Sequence, residues 1–158
     1  MNLIYKAIIL PLFDYADIIL GSSDKKHLKR LQSLQNRAGK IIMKINPYEH
    51  VSNSQVHSVL DWLSLESRRK KHLSIFVFKS VHNMLSASVC DMFQPSSFTY
   101  SLRNSGNIML PKPRTEYCRR TTHYRGSLQY NSLPQTMKIS QSQNIFMKDL
   151  ETFIPAFL

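Results

Sequence analysis

The chain has 158 residues, of which 42% are hydrophobic and 20% are charged, and this ordinary globular composition excludes disorder along the whole length. Its 21 lysines and arginines outnumber its 10 aspartates and glutamates, and the formal net charge of +11 favours a polyanionic partner, either nucleic acid or an acidic membrane surface. Two cysteines are too few for a disulfide scaffold or a cysteine-rich zinc module.

The first 20 residues are mostly apolar, and we predict that Leu3 to Leu20 forms two short buried helices or one helix kinked at Pro11. Three charged residues interrupt this stretch and exclude a membrane span: Lys6, Asp14 and Asp17. No basic segment precedes it and no small-residue cleavage site follows it, so it does not fit a signal peptide. We therefore expect an intracellular protein, in the nucleus or the cytoplasm, without a membrane partner.

A long helix is predicted from about Asp24 to Ile45, with Ser22 or Ser23 as its cap and Asn46-Pro47 after its end. Its apolar residues fall within one sector of roughly 140°, which predicts the side that faces the core. Another sector carries cations with no acidic residue four positions further on: Lys26, Arg30, Arg37, Lys40 and Lys44. Cations spread along about 27 Å of helix suit a phosphate backbone. The alternative interpretation is an ordinary solvated surface.

A short helix from Ser54 to Leu60 precedes a second long helix, which is predicted to begin at Ser64 and to reach about Leu85. This helix opens with a second candidate set of phosphate contacts: Arg68, Arg69, Lys70 and Lys71. Beyond them it is apolar on most sides, which predicts burial on most sides.

We expect a mainly α-helical fold, a helical bundle with a small β element and a C-terminal helix. Residues 1–93 form the helical region, 94–107 a polar linker and 108–158 a C-terminal extension. The extension is predicted to hold strands at Ile108 to Pro111 and Thr115 to Tyr124, and a helix at Ser142 to Phe153. Its candidate nucleic-acid contacts are Arg119, Arg120 and Arg125. The tyrosines interleaved with them, Tyr117, Tyr124 and Tyr130, are able to stack on bases, but aromatic residues at alternate strand positions more often pack in a core.

The sequence offers no candidate catalytic site. Tyr15-Ala16-Asp17 resembles part of a polymerase metal-binding box, but Ile18 stands where a second aspartate would be needed. None of the six histidines has a second histidine four residues away, and neither cysteine has a metal-ligand or triad pattern around it. We therefore expect no catalytic residue, no metal, no cofactor and no enzymatic activity from this chain by itself.

Four segments resemble the C-terminal part of the reverse transcriptase of non-LTR (LINE-type, jockey-like) retrotransposons, and they occur in that family's order. Ile4–Ala16 is similar to its apolar helix ending in Pro-x-x-Asp-Tyr, and Leu31–Ala38 is similar to its Leu-Gln-x-x-Gln-Asn-Arg-Ala signature. The third segment is Trp62–Arg69, and Phe78-Lys79 follows it at the position of the family's Tyr-Lys. Tyr124–Pro134 is similar to Arg-Gly-x-x-x-Trp-Asn-x-Leu-Pro, with a tyrosine in place of the tryptophan.

The resemblance implies a thumb and C-terminal extension of an RNA-directed DNA polymerase, without the palm, the fingers and the catalytic aspartates. Thumb helices of that family hold the template–primer duplex, so the implied partner is RNA or an RNA–DNA duplex, together with the missing palm and fingers. Two alternatives remain open. In the first alternative, the chain is a helical protein–protein interaction module that self-associates through its apolar first helix. In the second, it is a decayed fragment of the element without function.

Overall fold

The computed structural model describes residues 1–46, 48–95, 106–140 and 142–153. The described residues are mainly α-helical, as predicted, and contain no sheet. The chain divides into two units, Met1–Arg69 and Lys70–Leu158. Residues 96–105 of the predicted 94–107 linker lie outside the described residues, so the predicted domain boundaries stay a prediction.

The first unit begins with a helical stretch in three parts: α1 (Asn2–Ile4), a π-helical turn (Tyr5–Ile9) and α2 (Leu10–Asp14). A fourth short helix, α3 (Asp17–Leu20), follows. The π turn adds a residue to the helical repeat, so side chains five apart, Tyr5 and Leu10, both pack on the core. The prediction of a helical segment is confirmed. The prediction of burial is wrong for most of it, because only one side of the stretch packs against other residues that the structure describes.

Helix α4 (Lys25–Ile42) carries the predicted basic residues. Its N-cap is Asp24, whose carboxylate accepts from the Lys26 amide, and not one of the two preceding serines. The helix ends three residues earlier than predicted, because Lys44 adopts a left-handed conformation at φ 54°. The amide of Ile45 donates to the Lys40 carbonyl at 3.0 Å, which completes a Schellman ending. Pro47 lies outside the described residues.

The core of the first unit is small and lies between α4, α5 (Asn53–Leu60) and the N-terminal stretch. Tyr5 and Trp62 stack with their ring centroids 3.9 Å apart. Gly39 on α4 allows the two helices to approach closely, since a Cβ at this position would stand 2.6 Å from Cγ1 of Val56. Val56 is itself fully buried.

The buried side of α4 is rotated relative to the prediction. Gln35 and Gly39 are its buried residues, whereas Leu34 and Ile41, placed in the predicted apolar sector, are 55% and 62% exposed. The rotation has a polar and a steric cause. Nε2 of Gln35 donates to the carbonyl of Leu63 at 3.0 Å, and the close approach at Gly39 leaves no room for a larger side chain.

Helix α6 (Leu65–Val81) begins next to the predicted start at Ser64 and ends four residues before the predicted Leu85. Ser64 caps it, because its hydroxyl accepts from the Ser67 amide at 3.1 Å. The second unit continues with α7 (Ala87–Cys90), α8 (Glu116–Arg120), α9 (Thr122–Asn131), α10 (Gln135–Lys138) and α11 (Gln143–Phe153). The last of these confirms the predicted C-terminal helix. The core of the second unit consists of Leu73, Val77, Phe78, Phe93, Ile108, Tyr130, Leu133, Met137, Phe146 and Leu150.

The predicted β element is wrong for the described residues. The segment Thr115 to Tyr124 forms α8 and the start of α9, because two threonines act as helix caps: the Thr115 hydroxyl accepts from the Cys118 amide, and the Thr121 hydroxyl from the Tyr124 amide. Ile108 forms a single antiparallel bridge with Pro95 and no strand.

Gly126 is a buried residue inside α9. A Cβ at this position would stand 2.9 Å from Cγ2 of Val77 and 3.0 Å from Cε1 of Phe93. Glycine is therefore used here for close packing in the second unit and not to reverse the chain.

Candidate nucleic-acid interface

The basic face of α4, which consists of Lys26, Arg30, Arg37 and Lys40, points away from the core of its unit. At 100° per residue, Arg37 lies about 160° around the helix from both Gln35 and Gly39, the two buried residues of this helix. Lys26, Arg30 and Arg37 are exposed. The sequence therefore predicted the direction of the cations correctly even though it misplaced the centre of the buried side.

These cations have no carboxylate partner among the described residues. Salt bridges within the described part of the chain engage other cations, and none involves Lys26, Arg30, Arg37, Lys40 or Lys44. An exposed lysine or arginine without an internal partner is available to an external anion, and several along one helix produce a local positive potential.

Two members of the predicted set differ from the rest. Lys40 is half-buried on the flank of the face. Lys44 is exposed but does not belong to the helix, because its left-handed backbone ends it, so the predicted extension of the helical stripe to Lys44 is wrong. Its side chain still lies beyond the C-terminal end of the same helix.

Lys25 and Lys29 are exposed on α4 and were not among the predicted contacts. Lys29 lies about 20° around the helix from Lys40, so it widens the basic face at its N-terminal end. A helical projection of the sequence contains this signal. The prediction missed it because it kept only the residues nearest to one direction.

The Arg68–Lys71 run is used inside the protein. Arg68 forms a two-pronged ion pair with Asp14 in the first unit, with Nε 2.9 Å from Oδ1 and Nη2 2.5 Å from Oδ2. Burial lowers the pKa of Arg69, opposed by the charges of Glu66 and Asp17. The ion pair makes the Arg68 guanidinium part of the fold of the first unit, and Arg69 is half-buried, so neither side chain belongs to the exposed interface on α4.

The other half of that run belongs to the second unit. Nζ of Lys71 donates to Oε1 of Glu151 at 2.6 Å. The carbonyl of Lys70 accepts from Nε2 of Gln129, which also donates to the Ser74 hydroxyl. Lys70 and Lys71 are half-buried, and the contacts of this segment tie α6 to α9 and α11.

Of the basic residues predicted in the C-terminal extension, Arg119 and Arg120 are exposed on α8 and Arg125 is half-buried on α9. Arg119 has Glu116 3.6 Å away on the same short helix. Of the tyrosines in this region, Tyr130 is buried in the core, which is the role favoured over base stacking, and burial raises its pKa to about 12. Tyr117 is well exposed.

The polar residues of Leu31–Ala38 hold the first unit together, a role that the sequence analysis missed. Oε1 of Gln32 accepts from the Leu65 amide at 2.9 Å, Gln35 binds the Leu63 carbonyl, and Oδ1 of Asn36 lies 2.9 Å from Nε2 of His57. The available signal was Gln35 itself, a polar residue inside the apolar sector. The three side chains fix α4 against α5, the start of α6 and the connection between them, which leaves Arg37 directed outward.

The motif at Tyr124–Pro134 has a similar structural role in the second unit. The amide group of Asn131 makes two 2.9 Å hydrogen bonds with the backbone of Ile108, one in each direction. Nζ of Lys138 donates to the carbonyl of Asn131 and to Oδ1 of Asn107, both at 2.8 Å, and burial lowers its pKa. These residues build the C-terminal unit and are not part of an exposed site.

No helix in the described ranges is long and apolar enough to cross a membrane. Comparison of the chain with models of protein families, with curated proteins and with solved structures found no match.

Proposed function

We propose that this protein binds nucleic acid through its phosphate backbone, without base specificity, and that the contact surface is the basic face of α4. The observation that carries the proposal is the placement of Lys26, Arg30 and Arg37 on the solvent side of one rigid helix without a carboxylate partner among the described residues. Lys40 and Lys44 extend the surface toward the C-terminal end of the helix.

The dimensions of this face suit a polyanion. Lys26 and Lys40 are separated by 14 residues of helix, or about 21 Å at 1.5 Å per residue. Duplex nucleic acid carries phosphates along its whole axis, so one helix of this length is able to neutralise several of them at once. Lysine and arginine contacts of this kind give affinity and orientation but do not read the sequence.

The duplex that we propose as the partner is an RNA or RNA–DNA template–primer. This choice rests on the resemblance of four segments to the thumb and C-terminal extension of a non-LTR retrotransposon reverse transcriptase. The hydrogen bonds of Gln32, Gln35 and Asn36 give the most distinctive of these segments a structural purpose, since they orient the basic face. We accordingly propose a non-catalytic part of an RNA-directed DNA polymerase, acting in the nucleus or the cytoplasm.

A protein–protein interaction role is the second candidate, favoured by one observation. The N-terminal stretch leaves several large apolar side chains exposed, among them Leu3, Ile8 and Leu12. This surface lies outside the basic face of α4, so the two roles are compatible.

Fluorescence anisotropy with a labelled RNA–DNA hybrid tests the proposed function. Five phosphate contacts predict that the logarithm of the association constant falls against the logarithm of the salt concentration with a slope of roughly −4 to −5 on a duplex. Two hybrids of unrelated sequence should give the same affinity at every salt concentration. A slope near zero, or a strong preference for one sequence, would contradict backbone binding.

A further inference from the structure

The short helix α8 is exposed along its whole length. None of its five residues is buried, so α8 contributes no side chain to the core of the second unit. Two threonines hold this helix in place instead. The Thr115 hydroxyl accepts from the Cys118 amide at 3.2 Å, and the Thr121 hydroxyl donates to the Cys118 carbonyl at 2.7 Å. Hydrogen bonds therefore fix α8 at both ends, although its side chains do not pack.

Tyr117 is the aromatic residue of this helix, and its side chain is 81% exposed. Aromatic side chains usually bury much of their large surface. The ring of Tyr117 makes no aromatic or cation–π contact, and its hydroxyl makes no hydrogen bond, among the residues that the structure describes. The sequence left two uses open for the tyrosines of this region, packing in a core and stacking on bases. Exposure excludes core packing for Tyr117, whereas Tyr130 is buried.

Cations cluster around this exposed ring. Residues 112–120 contain one carboxylate, Glu116, and four exposed cations: Lys112, Arg114, Arg119 and Arg120. At 100° per residue, Arg120 lies about 60° around α8 from Tyr117. Arg119 lies about 160° around the helix from Tyr117, and it pairs with Glu116. The side of α8 that carries the ring therefore also carries Arg120, which forms no salt bridge with a described residue.

The segment before α8 brings further positive charge close to the ring. Arg114 directly precedes the cap residue Thr115 and is three residues from Tyr117, so the Cα atoms of Arg114 and Tyr117 are within about 10 Å of each other. Arg114 is exposed and forms no salt bridge with a described residue, and Lys112 is exposed two positions before it. Cations thus lie both before and after the ring along the chain.

We propose that α8 and the segment before it bind single-stranded nucleic acid, with one base stacked on the ring of Tyr117 and the adjoining phosphates bound by Arg114 and Arg120. A nucleic acid alternates an anionic phosphate with a planar base, and this surface places cations beside an open aromatic ring. An acidic peptide would match the charge but does not require the ring. Bases inside a duplex are covered by their neighbours, so an unpaired strand is the form that offers a base for stacking.

This site differs from the basic face of α4 in what it recognises. The contacts proposed for α4 are phosphates, whereas the contact at Tyr117 is the face of a base. The proposal for α8 does not rest on the function proposed for α4, because all of its residues lie in the second unit. Every base has a planar face, so stacking on Tyr117 should tolerate different sequences.

Fluorescence anisotropy with a labelled oligothymidylate of about 12 nucleotides tests the proposal. The parent protein is the full chain with Arg37→Gln and Lys40→Gln, which weakens the contribution of α4. Tyr117→Ala should bind about 5- to 150-fold more weakly than this parent, the range that stacking of one base contributes, and Tyr117→Phe should keep the parent affinity. Tyr15→Ala is the matched control, because Tyr15 is 79% exposed but lies beside Asp14, and it should bind like the parent. An unchanged affinity of Tyr117→Ala, or an equal loss in Tyr15→Ala, would overturn the proposal.

An abasic strand of the same length separates stacking from charge, because it keeps the phosphates and lacks the bases. The parent should bind this strand about 5- to 150-fold more weakly than oligothymidylate, whereas Tyr117→Ala should bind both strands with nearly equal affinity. Arg120→Gln should reduce the magnitude of the salt slope by about 0.7, and Lys148→Gln, at an exposed position on α11, should leave it unchanged. Equal binding of both strands by the parent would mean that the surface recognises charge alone, as an acidic protein would also provide, and would overturn the proposal.

Discussion

Replacement of Gly39 by alanine tests the packing of the first unit, because sequence and structure predict opposite signs. In an exposed helix interior, glycine to alanine stabilises by about 1 kcal/mol. Here the new methyl group would stand 2.6 Å from Cγ1 of Val56 and 3.3 Å from Cζ3 of Trp62. Val56 is fully buried and β-branched, so it has little freedom to rotate away. Overpacking of this kind costs about 1–3 kcal/mol, and we expect a net destabilisation of about 1 kcal/mol.

Urea unfolding followed by tryptophan fluorescence measures this change locally, because Trp62 is the single tryptophan and stacks on Tyr5 inside the same core. Ser33→Ala on the exposed side of α4 is the control, and it should stabilise by about 0.5 kcal/mol through helix propensity alone. A double-mutant cycle with Val56→Ala should show favourable coupling of about 1 kcal/mol, since the smaller side chain makes room for the new methyl group. A stabilising Gly39→Ala, or strictly additive effects, would refute the proposed close approach of α4 and α5.

Three further predictions follow from single residues. Lys44→Gly should raise the free energy of unfolding of the first unit by about 0.5–1 kcal/mol in urea, because glycine adopts the left-handed conformation at φ 54° without the cost that a side chain adds. An unchanged free energy of unfolding would contradict the left-handed helix ending at Lys44. Burial lowers the pKa of His57 from the ordinary 6.5. The contribution of His57 to the free energy of unfolding is therefore full above pH 6.5 and is lost as the pH falls below that value. His57→Gln should flatten the pH dependence of the free energy of unfolding, and an unchanged pH profile would argue against this role of His57. Primer extension with Mg²⁺ or Mn²⁺ should give no incorporation above a buffer control, and incorporation that Asp17→Asn abolishes would contradict a non-catalytic chain.

The long helices could be predicted from the sequence because their determinants are local. Apolar periodicity located α4, α6 and α11, and the Ser64 cap was recognisable from its residue type and position. The errors arose where a local signal has two uses. Threonines at 115 and 121 favour strands by propensity, but each caps a helix here, and propensity alone does not distinguish these uses.

Other features depend on contacts between distant residues and could not be predicted from local patterns. The rotation of α4 about its axis is set by the hydrogen bond from Gln35 to Leu63 and by the space that Gly39 leaves for Val56. The internal use of Arg68 requires Asp14, which is 54 positions away in the sequence. The basic face was predictable in direction because cations without neighbouring acids are a local property of the helix. Lys29 could also have been found by helical projection, whereas the end of the helix before Lys44 required the structure.

A salt titration of duplex binding by a double variant tests the central claim most directly. Arg37→Gln together with Lys40→Gln removes two cations from the basic face of α4 and leaves the buried residues unchanged. The control combines Lys6→Gln with Lys148→Gln, which removes the same charge from exposed positions outside α4. The account predicts that the α4 variant reduces the magnitude of the salt slope by about 2 units, whereas the control leaves it near the wild-type value. Equal slopes for the wild type and the α4 variant would contradict the assignment of this helix as the nucleic-acid interface.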